Sequence, residues 1–253
     1  MNILGGWDIW TYPAIAYASL GMLGPALAGT ILIARSRNDL QRIDFWRRVL
    51  QLKRVGGRWL AILLIVPGLS ALAILASAAA GASWPGFETI RGLLAEPWRI
   101  PLYCLFVLVF GPIPEELGWR GYALDGLQAR FNPLVSSIIL GMMWAVWRLP
   151  IFLVRGTYQH NHIGFATPGF LANCLCVIAI SVMFTWIYNR TQRSTLSAIL
   201  FHFVINLSAE IFPLAGPARW IYLFLLIVTA IIMIATEKDM QWLKVRGNYF
   251  VPS

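Results

Sequence analysis

Charge is scarce in this chain. Only 12% of its 253 residues are Asp, Glu, Lys or Arg, whereas a soluble domain carries about 25%. Cysteine is scarcer still: Cys104, Cys174 and Cys176 are the three, and all fall inside apolar runs. The spacing of Cys174-Leu-Cys176 excludes a zinc knuckle or a Cys-x-x-Cys redox pair, and the three read as small buried hydrophobes. No internal repeat or low-complexity linker is visible, which excludes a solenoid. The first residues lack the basic n-region of a cleavable signal peptide. Acids are the rarer sign, 11 against 20 cations, for a net charge of +9. The cations sit at the ends of apolar runs, so they read as topology signals and lipid-headgroup contacts, with no nucleic-acid partner.

What is abundant is apolar surface: 58% of residues are hydrophobic, and mean hydropathy is +0.68. Only helices and closed barrels satisfy the backbone in lipid. The apolar runs are long and continuous rather than alternating, so the expected fold is all-α. A polytopic membrane helix bundle is predicted over 1–253 as a single domain, with seven transmembrane helices near 9–34, 59–80, 100–117, 133–154, 170–188, 195–212 and 220–236. Between the first two, residues 35–58 carry eight cations interleaved with Leu40, Ile43, Phe45, Trp46, Val49, Leu50 and Leu52. That pattern predicts an amphipathic helix on a basic, cytoplasmic interface, with a partner-docking arm as the alternative. Placing the N-terminus outside and the C-terminus inside puts this segment, Arg120, Arg130, Arg190, Arg193 and the tail cations Lys238, Lys244 and Arg246 on one side. A bacterial inner membrane is the expected location.

Lipid excludes charge at a cost of at least roughly 2.5–3.5 kcal/mol per group. Three places in the predicted spans break that rule. The first is Gly111-Pro-Ile-Pro-Glu115-Glu116-Leu-Gly-Trp-Arg120-Gly121, near the end of the third span. Glu116 and Arg120 are four apart and can pair on one helix face, leaving Glu115 about 100° away as the freer carboxylate. Pro112 and Pro114 each remove a backbone donor, so the helix is expected to kink or restart here. The second place is Arg148, and the third is His202 with Asn206, four apart on the sixth span. A histidine and an asparagine alone could simply hold helices together. With a double glutamate in the same small bundle, hydrolysis inside the membrane becomes the better account. A glutamate can take a proton from water and return it to a leaving amine. A histidine can orient that water, bind a metal or stabilise an oxyanion, and an asparagine amide can donate to the same oxyanion.

Pro114-Glu115-Glu116-Leu-Gly-Trp-Arg120-Gly-Tyr resembles the EExxxR motif of the CAAX prenyl protease and bacteriocin-processing (CPBP) family of intramembrane proteases. Leu140 to Pro150 and Thr185 to Asn206 are similar to its second and last motifs, over a catalytic core of about 100–210. The resemblance implies that Glu115 activates water, that Glu116 and Arg120 support it, and that His202 and Asn206 hold water and oxyanion. It implies a peptide or lipidated, CAAX-like protein substrate. It leaves two chemistries open: zinc or another divalent metal, with Glu115 and His202 as candidate ligands, or a metal-free mechanism. One position departs from the family: its second motif ends in histidine where this chain has Arg148. Arginine cannot ligate a metal, and zinc usually takes three protein ligands. The loop residues His160 and His162 are distant substitutes, expected to be solvated. Arg148 could stabilise an oxyanion, could pair with Glu115 and weaken it as a base, or could face elsewhere. Three functions follow: an endopeptidase, a catalytically impaired immunity or scaffold protein, and a small proton-coupled transporter. No half-to-half symmetry supports the last.

Overall fold

The structure, a computed structural model, describes residues 12–236. Residues 9–11 of the first predicted span and the tail cations Lys238, Lys244 and Arg246 lie outside the described residues. All regular elements among the described residues are helical: α1 (Tyr12–Ala34), α2 (Asp39–Leu50), α3 (Ile65–Ala79), α4 (Glu88–Ala95), α5 (Arg99–Phe110), α6 (Pro112–Gly118), α7 (Leu124–Gln128), α8 (Pro133–Trp147), α9 (Pro168–Arg190), α10 (Thr195–Ile211) and α11 (Pro217–Ala235). Four stretches are long and apolar enough to cross a membrane: Ala61–Ala79, Arg99–Gln128, Pro168–Arg190 and Pro217–Ala235. Three shorter apolar helices, Gly21–Ala34, Pro133–Trp147 and Thr195–Ile211, lie at the other predicted spans. The chain is an all-α membrane helix bundle.

Local chemistry sets the boundaries. Asn132 and Thr167 cap α8 and α9 through their side chains, each followed by proline at the first helical position, and Ser194 caps α10. Asn38 caps α2 by accepting from the amides of Leu40 and Gln41. α9 is the hub of the bundle, with 61% of its apolar window buried against 22 to 33% for the other three long stretches. Phe184 and Met183 of α9 meet Trp144 of α8, Phe201 of α10 and Leu226 of α11 in one apolar core. The outer faces of α5 and α11 leave Leu102, Phe106, Phe224 and Ile231 exposed, as lipid-facing helices require.

The expected break before the double glutamate is real. α5 stops at Phe110, and α6 restarts at Pro112 after Gly111. The helical path continues past Leu117, where the sequence also allows an interfacial helix over 121–131. A π-helical turn over Trp119–Ala123 and then α7 carry it to Gln128, giving a 30-residue apolar stretch from Arg99. The carboxylates therefore lie near the middle of that stretch instead of near its end. Residues 81–99, between the second and third predicted spans, contain α4, which packs on α10.

α1 crosses α6 at a pair of glycines. A Cβ on Gly118 would stand 2.4 Å from the Pro25 carbonyl oxygen, and one on Gly29 would stand 2.9 Å from the Leu117 carbonyl oxygen. Small residues let the two backbones approach, and α1 holds α6 from its outer side.

Candidate active site

α6 delivers its adjacent carboxylates to different neighbours, because successive helical residues diverge by about 100°. Glu115 turns toward α8, where its Oε2 accepts a hydrogen bond from Trp144 Nε1 at 2.6 Å. Glu116 turns toward α10. Its Oε1 accepts from an Arg120 guanidinium nitrogen at 3.0 Å and lies 2.8 Å from His202 Nδ1. Glu115, Glu116, Arg120 and His202 are all buried. A carboxylate paired with arginine only accepts, so His202 carries its proton on Nδ1 toward Glu116. That leaves Nε2 as an acceptor. His202 Nε2 and Glu116 Oε2 are both buried without a protein partner. A buried polar atom without a protein partner calls for an explanation such as a water, an ion or a catalytic role.

An aromatic wall surrounds this set. The Arg120 guanidinium lies 3.9 Å from the centroid of Phe184 and 4.9 Å from that of Trp144. Its second terminal nitrogen reaches Ser181 Oγ at 3.5 Å. His202 stands edge-on to both rings, with centroids 5.3 Å from Trp144 and 5.7 Å from Phe184. Ring faces partly offset the desolvation of the cation, and the exclusion of water strengthens the ion pair.

Asn206 is half-buried, one turn beyond His202 on α10. A Cβ on Gly111 would come within 3.0 Å of Asn206 Nδ2, so the glycine makes room for the amide beside the start of α6. The Glu115 amide bonds the Gly111 carbonyl at 3.2 Å, which places Asn206 one helical turn from the double glutamate. Arg148 caps α8, half-buried, with its guanidinium 5.9 Å from the Trp144 ring centroid. Among the described residues no ion pair within 4.0 Å joins Arg148 to Glu115. His160 and His162 lie on a short π-helical turn, Gln159–Ile163, between α8 and α9. His160 Nδ1 lies 2.9 Å from the Phe152 carbonyl oxygen, and His162 stacks on Tyr158.

His202 Nε2 and Glu115 supply donors of the type a metal takes, but the set stops short. Among the described residues no group of three His, Cys, Asp or Glu side chains is placed to hold an ion. Catalytic zinc takes three protein ligands. Here the third position is an arginine, and the Arg120 cation stands close by. The donor set does not fit a resident zinc.

Four of the six candidate residues, Glu115, Glu116, Arg120 and His202, meet directly or through Trp144. Asn206 lies alongside, and Arg148 reaches the group only across Trp144. Sequence reasoning missed Trp144 and Phe184 as parts of the site. Trp144 had a signal, since it lies one helical turn before Arg148. Phe184 had none, being one aromatic among many on an apolar helix.

A second buried polar cluster sits next to the π turn. Arg48 of α2 is 2.9 Å from Asp125 Oδ2 and 3.0 Å from Asp44, and it donates to Tyr188 Oη and, at 3.0 Å, to the Gly121 carbonyl. Tyr188 Oη donates to Asp125 Oδ1 at 2.9 Å, and Arg193 pairs with Asp125 and with Asp44. Burial opposes the charge on Arg48, yet Tyr188 and the two carboxylates outweigh it and raise the guanidinium above its ordinary value. Arg193 is raised for the same reasons.

Residues 97–208, which contain all three motifs, match the family described as type II CAAX prenyl endopeptidase Rce1-like. The chain is also 32% identical over 221 residues to CAAX prenyl protease 2 of Methanococcus maripaludis, covering 87% of this chain and 81% of that protein. With motif order, the buried carboxylate pair and the bundle all in agreement, the chain belongs to the Rce1-like family of CAAX prenyl endopeptidases, which are proteases of the membrane.

Proposed function

We propose that this chain hydrolyses a peptide bond near the end of a membrane-associated protein whose tail carries a lipidated cysteine, using a water activated by glutamate. The observation that carries the proposal is the buried group of Glu115, Glu116, Arg120 and His202, with His202 Nε2 left unpaired. Glu115 takes a proton from a water held between itself and His202 Nε2. The resulting hydroxide attacks the scissile carbonyl carbon. His202 Nε2 accepts from the same water and orients it, and the negative charge that develops on the carbonyl oxygen is stabilised by the Asn206 amide. The C–N bond then breaks, and Glu115 returns the proton to the leaving amine. Glu116 and Arg120 take no proton in this scheme. They fix the tautomer and orientation of His202. Arg148 adds positive charge behind Trp144 and favours the oxyanion at longer range. No step passes through a metal. The end of the bundle that carries α2 and the α9–α10 turn is cytoplasmic in this proposal, supported by its basic residues.

The test is cleavage by purified protein of a peptide carrying a prenylated cysteine followed by three residues. Glu115→Gln abolishes cleavage while helicity and melting are retained. Undiminished cleavage by that variant removes Glu115 from the role of base. A folded wild-type chain that cleaves neither prenylated nor plain peptides would instead establish the immunity or scaffold protein, with Arg148 in place of the histidine as its mark.

A further inference from the structure

Arg48 and Phe45 are the two buried residues of α2, and both end on the same residue, Gly121. A Cβ on Gly121 would come within 3.0 Å of Phe45 Cε2, so the ring lies directly against the glycine Cα. The Arg48 fork donates to the Gly121 carbonyl at 3.0 Å. Gly121 sits within the π turn Trp119–Ala123, directly after Arg120. π turns lack the hydrogen-bond register of an α-helix and survive where neighbours over-determine them. Opposite α2, the turn that starts α10 is also held from outside. Gln192 and Arg193 both adopt positive φ, 53° and 59°, which side-chain-bearing residues rarely do. Arg54 donates to the Gln192 carbonyl at 2.8 Å, and Arg193 pairs with Asp125 and Asp44. Arg48, Asp44 and Asp125 thus join the π turn that carries Arg120 to the start of the helix that carries His202.

We propose that Arg48 and Phe45 are positioning residues for the reaction: the interfacial helix α2 seats the π turn, and through it sets the Glu116–Arg120–His202 geometry against Glu115. The proposal rests on the endopeptidase function given above. A displacement of about 1 Å from a change remote from the chemistry can cost on the order of a hundredfold in rate. Neither residue touches the reacting atoms, so the loss falls on kcat and leaves KM unchanged.

The experiment uses the full chain in detergent or nanodiscs with the same prenylated peptide, and wild type and Glu115→Gln fix the upper and lower limits of cleavage. Gly121→Ala, whose new methyl presses on Phe45, lowers kcat by at least tenfold at constant KM. Adding Phe45→Leu to it makes space and restores most of the rate. Arg48→Met lowers kcat similarly, and Arg48→Lys recovers part of it. Arg47→Met, on the exposed face of the same helix, leaves kcat unchanged. Hydrogen exchange over residues 112–128 is measured on every variant and quickens in Gly121→Ala and Arg48→Met alone. A folded Arg48→Met protein with wild-type kcat and wild-type exchange overturns the proposal. So does a Gly121→Ala defect that Phe45→Leu fails to relieve. If wild type cleaves nothing, the endopeptidase function fails instead, and unchanged exchange at 112–128 then overturns the positioning role on its own.

Discussion

Removing the negative charge from Glu116 separates what holds the site together from what runs it. In Glu116→Gln the shape is kept, but Arg120 loses its counter-charge in a place with no measurable exposure. Arginine cannot shed its proton there. Breaking a buried pair from one side costs about 3–5 kcal/mol. The ring contacts with Phe184 and Trp144 exist in both proteins and cancel, while the charge of Glu115 still acts on Arg120. The low end, about 3 kcal/mol, is therefore expected. For a chain of this size that lowers the melting midpoint by about 6–12 °C. Glu116→Gln/Arg120→Met removes both charges and fills the space with an apolar side chain. Its stability returns to within about 1 kcal/mol of wild type. Both cleave more slowly, because a glutamine amide is a weaker acceptor than the carboxylate and can turn its NH2 toward His202 instead, so the tautomer is no longer fixed. The assay is thermal unfolding in detergent followed by circular dichroism, beside peptide cleavage. Melting of Glu116→Gln within 2 °C of wild type would refute the buried pair, and a double variant less stable than the single one would refute the account of why it costs.

The remaining expectations are shorter. Gly118→Ala drives a methyl into the Pro25 carbonyl, at 2.4 Å before any relaxation, and destabilises by about 1–3 kcal/mol with loss of cleavage. Gly68→Ala, where a Cβ meets nothing within 4 Å, stabilises α3 by about 0.5–1 kcal/mol and leaves cleavage intact; equal effects of the two in a melting assay would deny the tight crossing of α1 and α6. Arg148→His removes a fixed positive charge and lowers cleavage on the order of tenfold, the effect of about 1.4 kcal/mol. A large gain would mean that arginine attenuates the site. Chelators leave wild-type cleavage unchanged, and elemental analysis of the purified chain finds less than one zinc per molecule; a tightly held stoichiometric zinc would contradict the donor set described above.

The sequence revealed the bundle because lipid enforces one rule on every span, and continuous apolar runs have no other explanation. It revealed Glu116–Arg120 because four-residue spacing is geometry built into a helix. It revealed His202 because polar groups in apolar spans stand out. It did not show that Glu116, rather than Glu115, receives His202, since that depends on how α6 and α10 are rotated against each other. The crossing that fixes α6 is set by Gly29 and Gly118 on elements far apart in sequence, and no local pattern encodes it. Arg48 was visible only as one cation among eight. Its position three residues after Phe45, on the helix's apolar side, was the available sign that it turns inward. Asp125 carried a similar sign, as the one acid between Glu116 and Pro133. The π turn that joins α6 to α7 was not foreseen, because π turns have no compositional signature.

The break at Gly111 has a bearing on how a reaction that consumes water can run inside oil. Pro112 and Pro114 have no amide hydrogen, so the carbonyl oxygens of Leu108 and Phe110 lose the donors that an unbroken helix would supply. Hydrocarbon offers those oxygens nothing, and hydration is their natural remedy. They lie within a turn or two of Glu115 along the chain, and Gly111, the residue after Phe110, stands against the Asn206 amide. Two prolines thus leave acceptor oxygens without their helical donors within a turn or two of Glu115, where a water bound to them would stand close to the proposed base.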